Sequence, residues 1–162
     1  MLQTGDPAPE ITLPLFGSGG GSGEPAQTAS LAGLANGQPA ILVVFFKIDC
    51  PVCQYAFPFL ERLSKGSLPI VAVSQNDARG TSEFHQELGI TIPTLLDPRG
   101  KYPASKAYGI SNVPTMFLVD PHSRRVLMSE TGFAKQAFLD WGRLAGVEPF
   151  LPDQKVPNYR PG

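Results

Sequence analysis

The run AILVVFF, residues 40–46, is apolar at every position and rich in β-branched and aromatic side chains. A strand with one wet face alternates polar and apolar residues, whereas an unbroken run needs cover on both faces. Elements must therefore lie above and below this strand, and 162 residues are enough to supply them in one domain. The run is the longest apolar stretch in the chain, and it is far too short to cross a bilayer.

The flanking sequence supplies that cover. Val52, Tyr55, Ala56, Phe59, Leu60 and Leu63 recur at steps of three and four, which predicts a helix over about 51–64 packed on the strand. LPIVAVS (68–74) predicts a second buried strand, and TSEFHQELG (81–89) a second helix. PTLLD and KYPASKAYG read as a short strand and a short helix, and 114–120 and 125–132 frame the turn PHSR as an antiparallel hairpin. A last helix carries Ala134, Ala137, Phe138, Trp141, Leu144 and Ala145 on one face. The expected architecture is one α/β domain, 1–148, with a mixed central sheet flanked by helices and an N-terminal β extension. GSGGGSGEPAQ (17–27) reads as a flexible glycine-rich loop, and 149–162, with four prolines in fourteen residues, as an extended or disordered tail.

The only two cysteines, Cys50 and Cys53, follow the apolar run directly in FFKIDCPVCQYAFPF, residues 45–59. A disulfide across so short a span gains little loop-closure entropy, so a purely structural role is disfavoured. Half a zinc site would need two more ligands, and the only histidines, His85 and His122, fall on a helix face and in a turn, so no metal is expected. Unrelated free thiols are usually scattered through cores. Redox chemistry suits the spacing better. Cys50 falls at the helix N-cap, with Pro51 at the first helical position, where its missing N–H costs nothing. Free backbone N–H groups and the helix dipole favour thiolate there, so the pKa of Cys50 is expected below about 8.5. Cys53, one turn further in, can resolve a mixed disulfide formed at Cys50.

Thirteen basic and fourteen acidic residues give a net charge of −1, and no basic cluster exceeds HSRR at 122–125, so no nucleic-acid partner is expected. MLQTGDPAPE lacks the regions of a secretory signal. The expected location is cytoplasmic as the sequence stands, and periplasmic if a signal has been removed. A monomer with no membrane span is expected.

Taken with GDPAPEITLPL, Pro58 five residues after Cys53, LLDPRGKYPASKAYGI and GISNVPTMFLVD, the segment ILVVFFKIDCPVC resembles the thioredoxin superfamily, in its TlpA-like/redoxin branch. The resemblance runs from about residue 5 to 146 and implies a thioredoxin fold. It implies a thiol–disulfide oxidoreductase that needs no cofactor beyond a redox-active Cys50–Cys53 disulfide and acts on protein disulfides or dithiols. Cys50 would be the nucleophile and Cys53 the resolving thiol. Pro114 would be the family's cis-proline, leaving the backbone of Val113 to pair with a substrate chain.

The sequence also departs from that pattern. The buried acid of thioredoxins, six residues before the first cysteine, is Val44 here, and the glutamate that many TlpA-like proteins place three residues after the second is Ala56. Neither usual proton acceptor for Cys53 is present. Lys47 and Asp49 flank the site and would tune Cys50 in opposite directions, and Pro51-Val52 matches neither thioredoxin nor DsbA. A peroxiredoxin-like peroxidase is the first alternative, but Lys47 stands where its threonine or serine would orient the peroxide. The second is a non-catalytic binding module with an apolar groove at Phe57 and Val113. Tyr55 or Phe57 is expected at an apolar rim around the sulfurs, and His85 on the helix surface.

Overall fold

The computed structural model describes residues 1–18 and 27–162, so most of the glycine-rich loop lies outside it. The apolar run forms β3 (Ile41–Phe46), and all six of its residues are fully buried. Before it come β1 (Thr12–Pro14), β2 (Thr28–Ser30) and the short α1 (Leu31–Ala35). After it follow α2 (Pro51–Leu63), β4 (Ile70–Ser74), α3 (Ala78–Leu88), β5 (Thr94–Leu96) and α4 (Pro103–Ala107). The chain continues through β6 (Thr115–Asp120), β7 (Arg125–Thr131), β8 (Phe133–Ala134), α5 (Lys135–Ala145) and β9 (Tyr159–Arg160).

The main sheet has the order β5-β4-β3-β6-β7. β3, β4 and β5 run parallel, while β6 and β7 are antiparallel to their neighbours, with Phe45 opposite both Val73 and Thr115. Side chains of β3 alternate between two cores, as the pleat requires. Leu42, Val44 and Phe46 enter a core with Cys53, Phe57 and Leu60 of α2, Phe84 of α3 and Trp141 of α5. Ile41, Val43 and Phe45 enter a second core with Leu31 of α1, Ala104 of α4, Tyr108, and the N-terminal Ile11 and Leu13. The sheet is thus mixed and covered on both faces, with a separate β1–β2 hairpin as its N-terminal extension. Among the described residues, no helix is long and apolar enough to cross a membrane.

Local signals account for the helix ends. The Asp77 side chain accepts from Gly80 N at 2.8 Å, and the left-handed Gly89 closes α3. That cap starts α3 at Ala78, ahead of the position the apolar spacing suggests. Its His85 is half-buried rather than on the surface: Nε2 lies 3.0 Å from Thr94 Oγ1 and the ring packs edge-on against Phe16, with burial lowering its pKa. α4 is anchored by the buried carboxylate of Asp97, which accepts from Ala104 N, Ser105 N and Ser105 Oγ at 3.0, 2.9 and 2.6 Å. On α5, Leu144 is 52% exposed, so it leaves the apolar face that its spacing suggested.

The proline-rich segment 149–162 lies against the domain. Phe150 packs on Phe59, Phe133 and Phe138, and β9 pairs with β8 beside α5. Lys135 N donates to Asn158 O at 3.0 Å, and Tyr159 Oη donates to Thr131 O at 3.0 Å. Gly132 makes this possible. Its φ is +80°, and a Cβ there would come within 2.3 Å of Arg160 O.

Two outcomes follow. Phe46 is fully buried between Phe57 and Phe84, with ring centroids at 4.5 and 4.9 Å, so Phe46→Ala should cost about 3–5 kcal/mol in denaturant unfolding. A chain ending at Val156 should stay folded but lose hydrogen-exchange protection at the Lys135 amide, whose acceptor is removed.

Candidate active site

The loop after β3 leaves the sheet at the C-terminal ends of the parallel strands, where open α/β sheets present their ligand crevices. Two side chains hold it: Asn76 Oδ1 accepts from Ile48 N at 3.0 Å, and Gln54 Nε2 donates to Ile48 O at 2.9 Å. The sequence reading had passed over both.

Cys50 is the N-cap of α2, extended at φ −87° and ψ 114°, and Pro51 begins the helix. Its Sγ accepts from Cys53 N at 3.1 Å and lies 3.4 Å from Val113 O, to which the thiol donates. Pro51 is exposed at the helix tip, while Val52 turns back and packs on the core. The Val113–Pro114 peptide is cis, as the resemblance implies. Pro114 O accepts from Gly132 N at 2.7 Å, tying this loop to the start of β8.

The two sulfurs occupy different environments. Cys50 is partly exposed, whereas Cys53 is fully buried among the α2 and β3 side chains. Burial pushes the Cys53 thiol well above the ordinary cysteine range. Its side-chain hydrogen bond with Cys50 and the electrostatic influence of Cys50 and Asp49 act in the same direction, against a backbone hydrogen bond from Lys47. Val44 and Ala56, which stand where the usual acids would be, are both fully buried. In the β3–β6–β7 register the row containing Val44 continues through Met116 to Glu130, two strands away, whose carboxyl burial raises. Lys47 and Asp49 are both exposed.

Of the aromatic residues near the pair, Tyr55 is at the rim and Phe57 is not. Phe57 is fully buried against Phe46 and Phe84, which removes it from any surface groove. Tyr55 packs on Phe59 and Phe133, and the Arg160 guanidinium sits 4.1 Å over its ring. The end of the described chain comes closer still, since a Cβ on Gly162 would lie 2.6 Å from Val113 O. Gly162 therefore borders the same carbonyl that Cys50 touches. Nothing in the composition of the proline-rich segment pointed there.

A CxxC pair at a helix N-terminus, facing a cis-proline loop on a mixed sheet covered on both faces, defines a dithiol protein of thioredoxin fold. The chain belongs to the AhpC/TSA family, whose model matches residues 4–124. It is 28% identical over 101 residues to the thiol-disulfide oxidoreductase ResA of Halalkalibacterium halodurans, covering 59% of this chain and 56% of that relative. The match thus spans little more than half of the relative's length. Among solved structures, it resembles the thioredoxin domain of a thiol-disulfide oxidoreductase from Bacteroides vulgatus, with TM-score 0.72, 19% identity, and 90% and 99% of the two chains covered. It also resembles the peroxidoxin BcpB of Mycobacterium tuberculosis, with TM-score 0.68, 18% identity, and 91% and 99% covered. The same fold thus serves proteins named for two chemistries, and the site must distinguish them.

The buried thiol makes stability depend on pH. Below the pKa of an unfolded cysteine, about 8.5, Cys53 is protonated in both states. Above it the unfolded chain releases this proton and the folded chain keeps it, so stability falls as pH rises. Between pH 9 and 10 the reduced protein should lose about 1.2 kcal/mol more than reduced Cys53→Ala, measured by guanidinium unfolding. Equal losses in the two proteins would show that Cys53 ionises normally.

Proposed function

We propose that the protein is a thiol–disulfide oxidoreductase that exchanges its Cys50–Cys53 dithiol or disulfide with protein partners. The observation carrying this reading is the position of the Cys50 sulfur. It is partly exposed, receives the Cys53 N–H and adjoins the Val113 carbonyl beside cis Pro114.

In the reducing direction, the Cys50 thiolate attacks one sulfur of a substrate disulfide. This forms a mixed disulfide and expels the other sulfur as a thiolate, which takes up a proton. Cys53 then loses its proton and attacks Cys50 Sγ. The second substrate thiol leaves, and the protein holds a Cys50–Cys53 disulfide. Two electrons pass to the substrate and the cysteines carry them. The oxidising direction is the reverse.

Burial gives Cys53 its role. A thiol kept protonated and shielded does not compete as the first nucleophile, yet it lies one helical turn from the sulfur that it must attack. Lys47 occupies the place where a peroxidase needs a hydroxyl, so the local chemistry favours disulfide exchange over peroxide reduction.

Cys53→Ser should accumulate mixed disulfides through Cys50, visible on non-reducing gels and reversed by dithiothreitol. Cys50→Ser should form none and lose at least about 100-fold in insulin reduction. If Cys53→Ser traps nothing and the wild type does not accelerate insulin reduction by dithiothreitol, the reading fails.

A further inference from the structure

Beside the reactive pair lies a cleft of about 310 Å³, bordered by Lys47, Gln75, Tyr102, Lys106, Ser111 and Asn112. It shares Lys47 with the active-site loop and Val113 with the contact to Cys50 Sγ. A group attached to a sulfur reacting at Cys50 therefore has this cleft as its neighbour.

The lining has one sign of charge. Lys47 and Lys106 are both exposed, and neither makes an ion pair among the described residues. No carboxylate lines the cleft. Asp97, behind its wall, is buried and committed to three donors on α4, and Asp49, two residues after Lys47, is exposed but not part of the lining. Ser105 Oγ, which donates to Asp97, accepts from Gln75 Nε2 at 2.9 Å, so that wall is held in place. Tyr102 stands at the border in a left-handed conformation with φ 43° and ψ 53°. Its N donates to Pro98 O at 2.8 Å, and its carbonyl accepts from Lys106 N at 2.9 Å. The backbone carrying Lys106 is thereby fixed at the border of the cleft that Lys47 also lines. Two ammonium groups and neutral hydrogen-bonding side chains form a receptor for an anion.

We propose that this cleft is a carboxylate subsite, selecting disulfides with an acidic group a few bonds from the reacting sulfur. The proposal rests on the oxidoreductase reading and deepens it. The exchange step is unchanged: Cys50 attacks, one carboxylated thiolate leaves, and Cys53 releases the second. The lysines contribute by holding the substrate's carboxylate while the sulfurs align. An acidic residue next to a protein cysteine and a small carboxylated disulfide share this chemistry.

Three symmetrical disulfides of similar length isolate the charge: dianionic 3,3′-dithiodipropionate, neutral bis(2-hydroxyethyl) disulfide and dicationic cystamine. Each second-order rate with the reduced protein is divided by the rate of free 2-mercaptoethanol with the same disulfide, which removes intrinsic reactivity. At low salt the normalised rates should fall from dianion to dication by on the order of tenfold. The spread should shrink at 1 M salt, where the screening length is about 3 Å. Lys106→Gln should compress the ratio, and Lys106→Glu should reverse it. Any general effect of a substitution on thiol nucleophilicity cancels in the ratio.

Asp-Cys and Lys-Cys peptide disulfides then identify the source. Preference for Asp-Cys points to acidic protein segments, and selectivity confined to the small probes points to a small carboxylated disulfide. Equal normalised rates for the three small probes, or a ratio unmoved by Lys106→Glu in a protein with wild-type circular dichroism, overturn the subsite. If insulin reduction persists in that case, only the subsite falls. If the protein reduces neither insulin nor any of the three disulfides, the oxidoreductase reading fails and the subsite with it.

Discussion

Burial of β3 on both faces is the constraint from which the rest follows. Six consecutive side chains without solvent contact require a helical layer on each side, and they place the strand at the centre of the sheet. The chain must then leave the sheet at the end of β3 and turn at once into a covering helix. That turn is the CxxC loop. Its first sulfur caps the helix because the cap position is where the backbone stops being a strand and starts being a helix. The position of Cys50 is thus set by the covalent continuity of a core strand with the helix that covers it.

The same junction separates the two thiols. The side chain at the cap is partly exposed and lies against Val113 O, while the one a turn later enters the core with Val44, Phe46 and Phe57. Thioredoxins set an acid beside the second sulfur, but Val44 and Ala56 leave this core apolar there. Burial consequently dominates the ionisation of Cys53.

Two surfaces meet at Val113. On one side is the cleft with Lys47 and Lys106. On the other is the proline-rich segment, with Arg160 over Tyr55 and Gly162 against the Val113 carbonyl. A substrate chain pairing with Val113 would meet a cationic border on one flank and this segment on the other.

Much of this was legible in the chain itself. The unbroken apolar run implied a doubly covered strand, the three-and-four spacing after it implied α2, and Cys50-Pro51 implied the cap, because each depends on residues within a few positions of one another. The Val-Pro-Thr stretch was read as a cis-proline loop only through family resemblance. Local sequence leaves open, or misplaces, what long-range contacts decide. Phe57 and Tyr55 follow the same motif, but packing against Phe46 and Phe84 buries the first, while the second remains at the rim under Arg160. His85 was expected at the surface until Phe16 and Thr94 came to lie against it.

The sequence by itself determined the central strand, the helix that follows it and the cysteine at their junction, since local periodicity and capping chemistry suffice for those. Only the tertiary structure decided which groups gather around that cysteine. Lys47 and Lys106 lie fifty-nine positions apart, and Gly162 lies forty-nine from Val113, so neither pairing leaves a trace in local sequence. The folding of the sheet brings them to one edge.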